Sequence, residues 1–373
     1  MQGRKRIRCA AIAAACIAAV AVFGAAAGCS KKTAEKEVEV VSYISTDSHV
    51  YGSTVEVVNA VADSVVEIST ESVTTQWGTQ YVVSGAGSGV IVGKAADGGY
   101  YNIVTNNHVI DGAKNITVKT RSGTAYSAEL IATDDSADIA VIKITTSDKL
   151  NVAVWGNSDD LQIGEDLLAI GNPLGSLGGT VTKGILSATG RTIEVGNYAM
   201  TLLQTDTAIN PGNSGGGLFN MRGELIGVVN AKTTDEEIEG ICFAIPANTA
   251  RSVYGSLVEH GYLVGRATFN ITVSEGTIGS GGLGAQSQSI VYVTDVGAVA
   301  EGTFAKYDRI YSVGGVKVSS VLELNKALAK ITAGDTVTVQ VYRGSIKQQG
   351  WSSSISFSSE LTEFNVTAAQ YGI

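Results

Sequence analysis

The stretch Asn210-Pro-Gly-Asn-Ser-Gly-Gly-Gly217 surrounds a single serine, Ser214, with four glycines. Glycine adopts backbone angles closed to other residues, so this loop can present the Ser214 hydroxyl and turn the amides of Gly212 and Ser214 inward. A hydroxyl nucleophile needs such donors for the charge that develops on a carbonyl oxygen, and it needs a base within hydrogen-bond reach. The competing interpretation is a plain glycine-rich turn, because 45 of the 373 residues are glycine.

The same residues fit the Gly-x-Ser-x-Gly pattern of the nucleophile elbow in α/β-hydrolases. That fold requires a helix directly after the serine, and then an acid and a histidine later in the chain. Here Gly215-Gly-Gly217 is a poor helix start, and the only later histidine is His260. The context therefore argues against an α/β-hydrolase.

The chain contains three histidines, and a proton shuttle at neutral pH would most naturally use one of them. His49 lies in a polar N-terminal segment, and His260 lies at the end of a predicted helix. His108 lies in Ile103-Val-Thr-Asn-Asn-His-Val-Ile110, where an apolar strand runs into a polar turn. A lone histidine is more often an ordinary surface or core residue, but the Ser214 loop makes His108 the candidate base.

Asp138 is the candidate acid because it directly precedes the apolar run Ile139–Ile144. A carboxylate at the start of such a strand is partly buried, and it can hold an imidazole in one tautomer and stabilise its protonated form. Asp134 and Asp135 are nearby rivals that lie further into the turn, where we expect solvated loop charges.

The composition favours a β-rich protein with tight turns, since 45 glycines stand against three prolines. From Val55 to about Gly255, short β-type runs alternate with turn residues, which predicts barrels or a sandwich rather than βαβ units. Ala247–His260 is predicted to be a closing helix. A net charge of −9, with no basic stripe after the N-terminus, argues against nucleic-acid binding.

A second unit is predicted over residues 265–350. It contains strand-like runs and a capping box, Ser320-x-x-Glu323, that opens a helix. We expect the Gly/Ser-rich segment 276–288 to be a flexible insertion. Residues 351–373 give no clear signal and are interpreted as a tail.

Residues 1–28 have the layout of a secretory signal peptide, with basic residues followed by an Ala-rich apolar run. Small residues followed by Cys29 resemble a bacterial lipobox, so we expect Cys29 to carry a lipid that anchors an extracytoplasmic protein to the membrane. The alternatives are an ordinary signal peptide or an uncleaved anchor, although the apolar run is short for a membrane span. Residues 29–53 are interpreted as a tether. Only Cys242 would remain, so no intrachain disulfide is expected.

The order His108, Asp138, Ser214 and the sequence around these residues resemble the HtrA/Deg (DegP/DegS-like) family of chymotrypsin-fold serine proteases. The similarity covers roughly residues 55–345, and the second unit resembles the single PDZ domain that follows these proteases. The matching strings are Thr105-Asn-Asn-His-Val-Ile110, Asp138-Ile-Ala-Val-Ile-Lys143, Ile170-Gly-Asn-Pro-Leu-Gly175, Gln204-Thr-Asp-Thr-Ala-Ile-Asn-Pro-Gly-Asn-Ser-Gly-Gly216 and Gly240-Ile-Cys-Phe-Ala-Ile-Pro246.

The resemblance implies a mainly β fold, with two six-stranded barrels in a protease domain over 54–260 and a small α/β PDZ domain. It implies a serine endopeptidase acting on misfolded or surface proteins through a catalytic triad, with an oxyanion hole at Gly212, Asn213 and Ser214. It implies no metal or cofactor, a homotrimer, and a peptide ligand for the PDZ domain. The remaining alternatives are a chaperone-like peptide-binding protein with a vestigial site and a structural, adhesin-like lipoprotein.

Specificity also follows from the resemblance, since the residue six before the nucleophile lies at the base of the S1 pocket. Here it is the uncharged Ala208, which predicts cleavage after small or medium aliphatic residues. Two positions depart from the family pattern. Gly217 replaces a usual proline, which we expect to loosen the loop. In Arg266–Ile271, Ala267 and Asn270 replace expected glycines, which puts peptide capture by the PDZ domain in doubt.

Overall fold

The computed structural model describes residues 40–41, 43–44, 50–76, 79–172, 179–210, 212–231, 240–278, 287–297, 300, 302–349 and 352–371. The predicted signal peptide, Cys29 and His49 lie outside these residues. The described residues form two closed β-barrels and a smaller α/β domain, which confirms the mainly β architecture. The strands of the barrels are β1 (Val40–Val41), β2 (Tyr43–Ile44), β3 (Val65–Gln76), β4 (Thr79–Ala95), β5 (Tyr100–Thr105), β6 (Asn115–Lys119), β7 (Ala125–Asp134), β8 (Ile139–Thr145), β9 (Val154–Trp155), β10 (Asp166–Gly171), β11 (Thr180–Val195), β12 (Tyr198–Thr205), β13 (Gly217–Asn220), β14 (Glu224–Asn230) and β15 (Cys242–Pro246).

Each barrel is a ring of six antiparallel strands. The first has the order β4-β3-β6-β7-β8-β5 and closes by pairing of β4 with β5. The second has the order β13-β10-β11-β12-β15-β14 and closes by pairing of β13 with β14. Fully buried aliphatic side chains such as Ile103 and Ile142 fill the first barrel, and Leu167 and Leu218 do so in the second. Each such side chain stabilises the fold by about 1.5–3 kcal/mol relative to an exposed position.

The predicted tether is wrong at its end. Strand β1 pairs with β4, and strand β2 pairs in parallel with β9, so residues 40–41 and 43–44 add to the edges of the two barrel sheets. Apolar, β-branched residues in Val40-Val-Ser-Tyr-Ile44 suit a strand, and this outweighs the polar character of the preceding segment.

Among the described residues, three α-helices accompany the barrels: α1 (Thr54–Val61), α2 (Asn107–Ile110) and α3 (Ala247–His260). The bounds of α3 are those predicted from the sequence. Its buried face includes Ala250, Val253 and Leu257, at helical spacing. The helix ends at Gly261, whose φ of +80° lets its N–H cap the Leu257 carbonyl.

The second domain is a five-stranded antiparallel path, β17-β18-β19-β21-β22, with a helix on it. Ser320 Oγ accepts the Glu323 N–H at 3.1 Å, as the capping box predicts, while the Glu323 carboxylate accepts from Ser319 instead of Ser320. The elements are β16 (Ala267–Thr268), β17 (Ile271–Ile278), β18 (Gln288–Val296), β19 (Arg309–Val313), β20 (Val316–Lys317), α4 (Val321–Leu328), β21 (Thr336–Gln349), β22 (Ser352–Thr367) and β23 (Ala369–Gln370).

Two predictions for this domain are wrong at their boundaries. The ends of the 276–288 segment are paired strand, with Gly276 opposite Ile290. The predicted tail instead contains β22, which pairs with β21 along its length, and β23, which pairs with β16. Strand β22 is serine-rich at its start because that part lies at a largely exposed sheet edge, where packing imposes little hydrophobic pattern.

All described residues belong to one unit, Val38–Ile373. Within them, no helix combines the length and apolar character that a membrane span requires. The same part of the chain contains no group of three or more metal-ligating side chains.

Candidate active site

His108 and Asp138 meet at one end of the first barrel. His108 lies in α2, directly after β5, and Asp138 lies directly before β8, the strand that pairs with β5. Nδ1 of His108 lies 2.7 Å from Oδ2 of Asp138, and the His108 main-chain N–H donates to Oδ1 at 3.0 Å. Because an ionised carboxylate only accepts hydrogen bonds, Nδ1 carries the proton, which leaves Nε2 free to act as a base.

The backbone of Asp138 is held in an unusual conformation. Its φ is +50°, a left-handed value that costs a residue with a side chain about 1–2 kcal/mol. The surroundings compensate, because its carbonyl accepts from Nδ2 of Asn106 at 3.0 Å and from the Asn107 N–H at 3.2 Å. The turn therefore directs the carboxylate, which is 6% exposed, toward the 23% exposed imidazole.

The prediction that Asp134 and Asp135 are solvated loop charges is wrong for Asp134, which is buried, whereas Asp135 is 38% exposed but ion-paired. Nη1 of Arg266 donates to Asp134 at 2.7 Å and to Asp135 at 2.6 Å, and the Asp134 side chain is 1% exposed. Burial raises the pKa of Asp135, but hydrogen bonds from Tyr198 and Arg266 more than offset this effect, so the pKa lies below its usual value. These acids bind the second domain to the turn that presents Asp138.

The loop around Ser214 has the geometry that its glycines predict. The Asn213 N–H donates to the Asn210 carbonyl at 3.0 Å, and Gly212 has a φ of +99°. The amide of Asn213 is thus engaged, whereas the amides of Gly212 and Ser214 have no acceptor among the described residues. Of the three predicted oxyanion residues, these two have N–H groups free to bind a substrate oxygen.

Ser88 of strand β4 ties the first barrel to this loop. Its Oγ donates to the Gly212 carbonyl at 2.6 Å, and its N–H donates to the Ser214 carbonyl at 2.8 Å. Thr105 in turn donates to the Ser88 carbonyl at 2.7 Å, and Ser88 is fully buried. The loop is therefore fixed by main-chain and hydroxyl contacts from the barrel that carries His108.

Ser214 lies beside the turn that carries His108. A Cβ built on Gly87 would contact both the Val109 side chain and the Ser214 carbonyl, and one built on Gly215 would lie 3.2 Å from the Asn106 nitrogen. Within the described residues, no hydrogen bond joins the Ser214 hydroxyl to His108. Such catalytic bonds are often long in the free enzyme and tighten when substrate binds.

Comparisons with known proteins identify two domains in this chain. Residues 87–228 match a trypsin-like peptidase domain, and residues 276–349 match a PDZ domain. Serine protease Do-like HtrA of Bacillus subtilis is 38% identical over 278 residues, covering 70% of this chain and 61% of the relative. Serine protease Do-like HtrA of Lactococcus lactis subsp. cremoris is 36% identical and covers 70% of this chain and 68% of the relative.

Solved structures agree as well. The serine endoprotease from Yersinia pestis is 32% identical, with a TM-score of 0.52, and covers 86% of this chain and 99% of that one. The chain belongs to the HtrA family. The HtrA-type protease AlgW with decapeptide is also similar, at 28% identity and a TM-score of 0.53, and covers 86% of this chain and 99% of that one.

The HtrA-family chain is shorter than several curated relatives. It spans 61% of the Bacillus subtilis protein and 48% of a probable periplasmic serine endoprotease DegP-like of Bartonella henselae, to which it is 40% identical over 65% of its own length.

Ala208, the predicted S1 residue, is exposed in this HtrA-family structure, and its carbonyl accepts from Thr182 Oγ1 at 2.8 Å. Gly217 does not loosen the loop, which corrects that prediction. Gly217 begins β13, pairs with Val228 and is buried. The ring of Phe219 occupies the space that a side chain at this position would need.

At the start of the PDZ domain, Ala267 and Asn270 stand where the HtrA pattern has glycines, and the structure accommodates each of them in its own way. Asn270 has a φ of +54°, a left-handed value that asparagine tolerates better than most residues, so it substitutes for glycine in conformation. Ala267 is buried and pairs with Gln370. A groove of about 920 Å³ lies between this domain and the second barrel, with Phe269 and Leu324 among its lining residues.

Two residues that contact the site, Ser88 and Asn230, were not predicted from the sequence. Ser88 looks like one more small residue in a glycine-rich strand, so nothing in the sequence distinguished it. Asn230 follows an apolar run, and its Nδ2 donates to Oδ2 of Asp138 at 3.0 Å. A buried polar residue at the end of an apolar strand was the available signal. His260, in contrast, lies partly exposed at the end of α3, away from these residues.

Proposed function

We propose that this HtrA-family chain is an extracytoplasmic serine endopeptidase that hydrolyses peptide bonds of misfolded or surface proteins through His108, Asp138 and Ser214. The main support is the contact of both Asp138 carboxylate oxygens with His108, at 2.7 and 3.0 Å, together with a serine loop in which two amides have no acceptor among the described residues. This arrangement supplies a base of fixed orientation and donors for an oxyanion.

In the proposed reaction, Ser214 Oγ bonds to the substrate carbonyl carbon while its proton passes to Nε2 of His108. The amides of Gly212 and Ser214 hold the oxyanion, and Asp138 stabilises the imidazolium. Collapse of the tetrahedral intermediate breaks the C–N bond as His108 returns the proton to the leaving amine. Water, with His108 as its base, then attacks the acyl-enzyme carbonyl in the same way. The bond to Ser214 Oγ breaks, the serine regains its proton from His108, and the new carboxyl end of the substrate is released. The reaction needs no metal or cofactor.

Labelling with a fluorophosphonate probe tests this function, with Ser214→Ala as the control. We expect the wild-type chain to be labelled and to cleave unfolded casein, and the variant to do neither. A folded wild-type chain that is not labelled would contradict the proposal and favour a non-enzymatic peptide-binding or structural role.

For specificity, we propose Ala208 as the base of the S1 pocket and a preference for small or medium aliphatic residues. A lysine or arginine side chain would enter without a charged partner and lose its hydration. Peptide reporters that differ only at the residue before the cleaved bond test this, and efficient cleavage of the arginyl reporter would contradict it.

For location and partners, we propose membrane attachment through a lipid on Cys29, a homotrimer, and a peptide ligand for the PDZ domain. Two relatives, from Bartonella henselae and Haemophilus influenzae, are probable periplasmic serine proteases, and the N-terminal sequence of this chain has a lipobox-like end. Incorporation of labelled palmitate, absent in Cys29→Ser, tests the anchor, and analytical ultracentrifugation tests the trimer.

A further inference from the structure

Asn230 connects the catalytic acid to the second barrel. It is the last residue of β14 and is fully buried. Its Nδ2 donates to Oδ2 of Asp138, in the first barrel, at 3.0 Å. The same oxygen lies 2.7 Å from Nδ1 of His108. One carboxylate oxygen thus receives a donor from each barrel.

The residue before Asn230 holds the nucleophile loop. The Gly215 N–H donates to the Val229 carbonyl at 3.0 Å, and the Val229 N–H donates to the Gly216 carbonyl at 2.9 Å. Two consecutive residues of β14 therefore bind both parts of the site: Val229 binds the Ser214 loop, and Asn230 binds Asp138, the acid that orients His108.

The other contacts of Asp138 do not replace this one. Asn106 and Asn107 donate to its main-chain carbonyl and form no hydrogen bond with the carboxylate. Within the part of the chain that the structure describes, the remaining donors to the carboxylate both belong to His108, the residue that must be oriented. Asn230 is thus, among the described residues, the donor to this carboxylate that comes from the second barrel, and an uncharged amide can hold a buried carboxylate without competing for the imidazole proton.

We propose that Asn230 is a positioning residue for the reaction, which fixes the Asp138 carboxylate to the strand that carries the Ser214 loop. The inference rests on the proposed endopeptidase function. Misplacement of a catalytic group by about 1 Å can reduce the rate about 100-fold, so loss of this contact affects the chemical step more than substrate binding.

Two variants test the role. Asn230→Asp is nearly isosteric but replaces the donor with an acceptor, and Asn230→Ala removes the amide. The matched control is Asn220→Ala, at the end of β13 in the same barrel. Asn220 is 2% exposed and its Nδ2 donates to Glu224 at 2.6 Å, so its loss also breaks a buried network without touching the triad.

For both Asn230 variants, we expect kcat on a peptide reporter to fall about 10- to 100-fold while KM changes less than about twofold. The rate of fluorophosphonate labelling should fall in parallel. Asn220→Ala should lower the melting temperature but keep the wild-type labelling rate. Wild-type kcat and labelling in both Asn230 variants would overturn the positioning role alone. A wild-type chain that is not labelled would overturn it together with the proposed function, since no reactive serine would exist to align.

Discussion

Replacement of Gly215 by alanine should damage both the fold and the reactivity of Ser214. Gly215 has a φ of +81°, which costs an alanine about 1–2 kcal/mol. A Cβ there would also lie well inside van der Waals contact with the Ser88 main-chain oxygen and Thr105 Oγ1. Because a main-chain oxygen cannot rotate away, we expect overpacking to cost a further 1–3 kcal/mol, roughly.

Gly123→Ala provides a matched control. Gly123 has a φ of +91°, but a Cβ there would meet nothing within 4 Å, so its substitution incurs the backbone cost alone. For a domain of this size, 1 kcal/mol shifts the melting temperature by roughly 2–4 °C. We therefore expect Gly123→Ala to melt roughly 2–8 °C below the wild type, and Gly215→Ala to melt roughly 2–12 °C lower still.

The assay is thermal unfolding followed by circular dichroism, with fluorophosphonate labelling measured well below each midpoint. Gly215→Ala should label slowly even while folded, because the displaced loop carries Ser214. Gly123→Ala should label at the wild-type rate. Equal melting temperatures for the two variants, with normal labelling of Gly215→Ala, would refute the steric reasoning.

Three further predictions follow from buried contacts. Ser88→Ala leaves the Gly212 carbonyl without its 2.6 Å donor. Chemical denaturation should show a free energy of unfolding lower by about 1–3 kcal/mol, and the fluorophosphonate probe should label Ser214 more slowly. An unchanged free energy and labelling rate would count against the importance of this contact. The pKa of Asp135 is lowered in the folded state, so its contribution to stability is present above about pH 4 and is lost as the pH falls through the lowered value. Asp135→Asn, which weakens the Arg266 contact, should therefore show a smaller drop in melting temperature between pH 5 and pH 3, and an equal drop would be inconsistent with this linkage. Burial raises the pKa of the Cys242 thiol, so iodoacetamide should modify it only after unfolding. Mass spectrometry should show no alkylation of Cys242 in the native protein, and alkylation of the native protein would contradict this prediction.

The sequence carried enough local signal to predict the β-rich fold, helix α3 and the pairing of His108 with Asp138. These features depend on short-range patterns: an apolar strand that ends in a polar turn, or apolar residues at helical spacing. The glycines around Ser214 likewise predicted a loop of unusual backbone angles, and Gly212 and Gly215 both have positive φ.

The features that could not be predicted from the sequence depend on contacts between residues that lie far apart in the chain. The burial of Asp134 follows from Arg266, which lies 132 residues away, and no local pattern indicates that contact. Strand β22 begins with serines, and only its long pairing with β21 makes it a strand. Asn230 reaches Asp138 across 92 residues, so its role emerges only when the two barrels meet.

The contact between Arg266 and the acid turn also determines where the protein can be divided. A protease fragment that ends at residue 260 would contain all the strands of both barrels and helix α3. Such a fragment would keep Asp134, which is 1% exposed, and lose the cation that neutralises it. Loss of a hydrogen bond to a charged group costs about 1.5–3 kcal/mol, which is a substantial part of the stability of a typical domain. An excised or transplanted protease module should therefore include residues through Arg266, and the energetic boundary between the domains lies inside the second one.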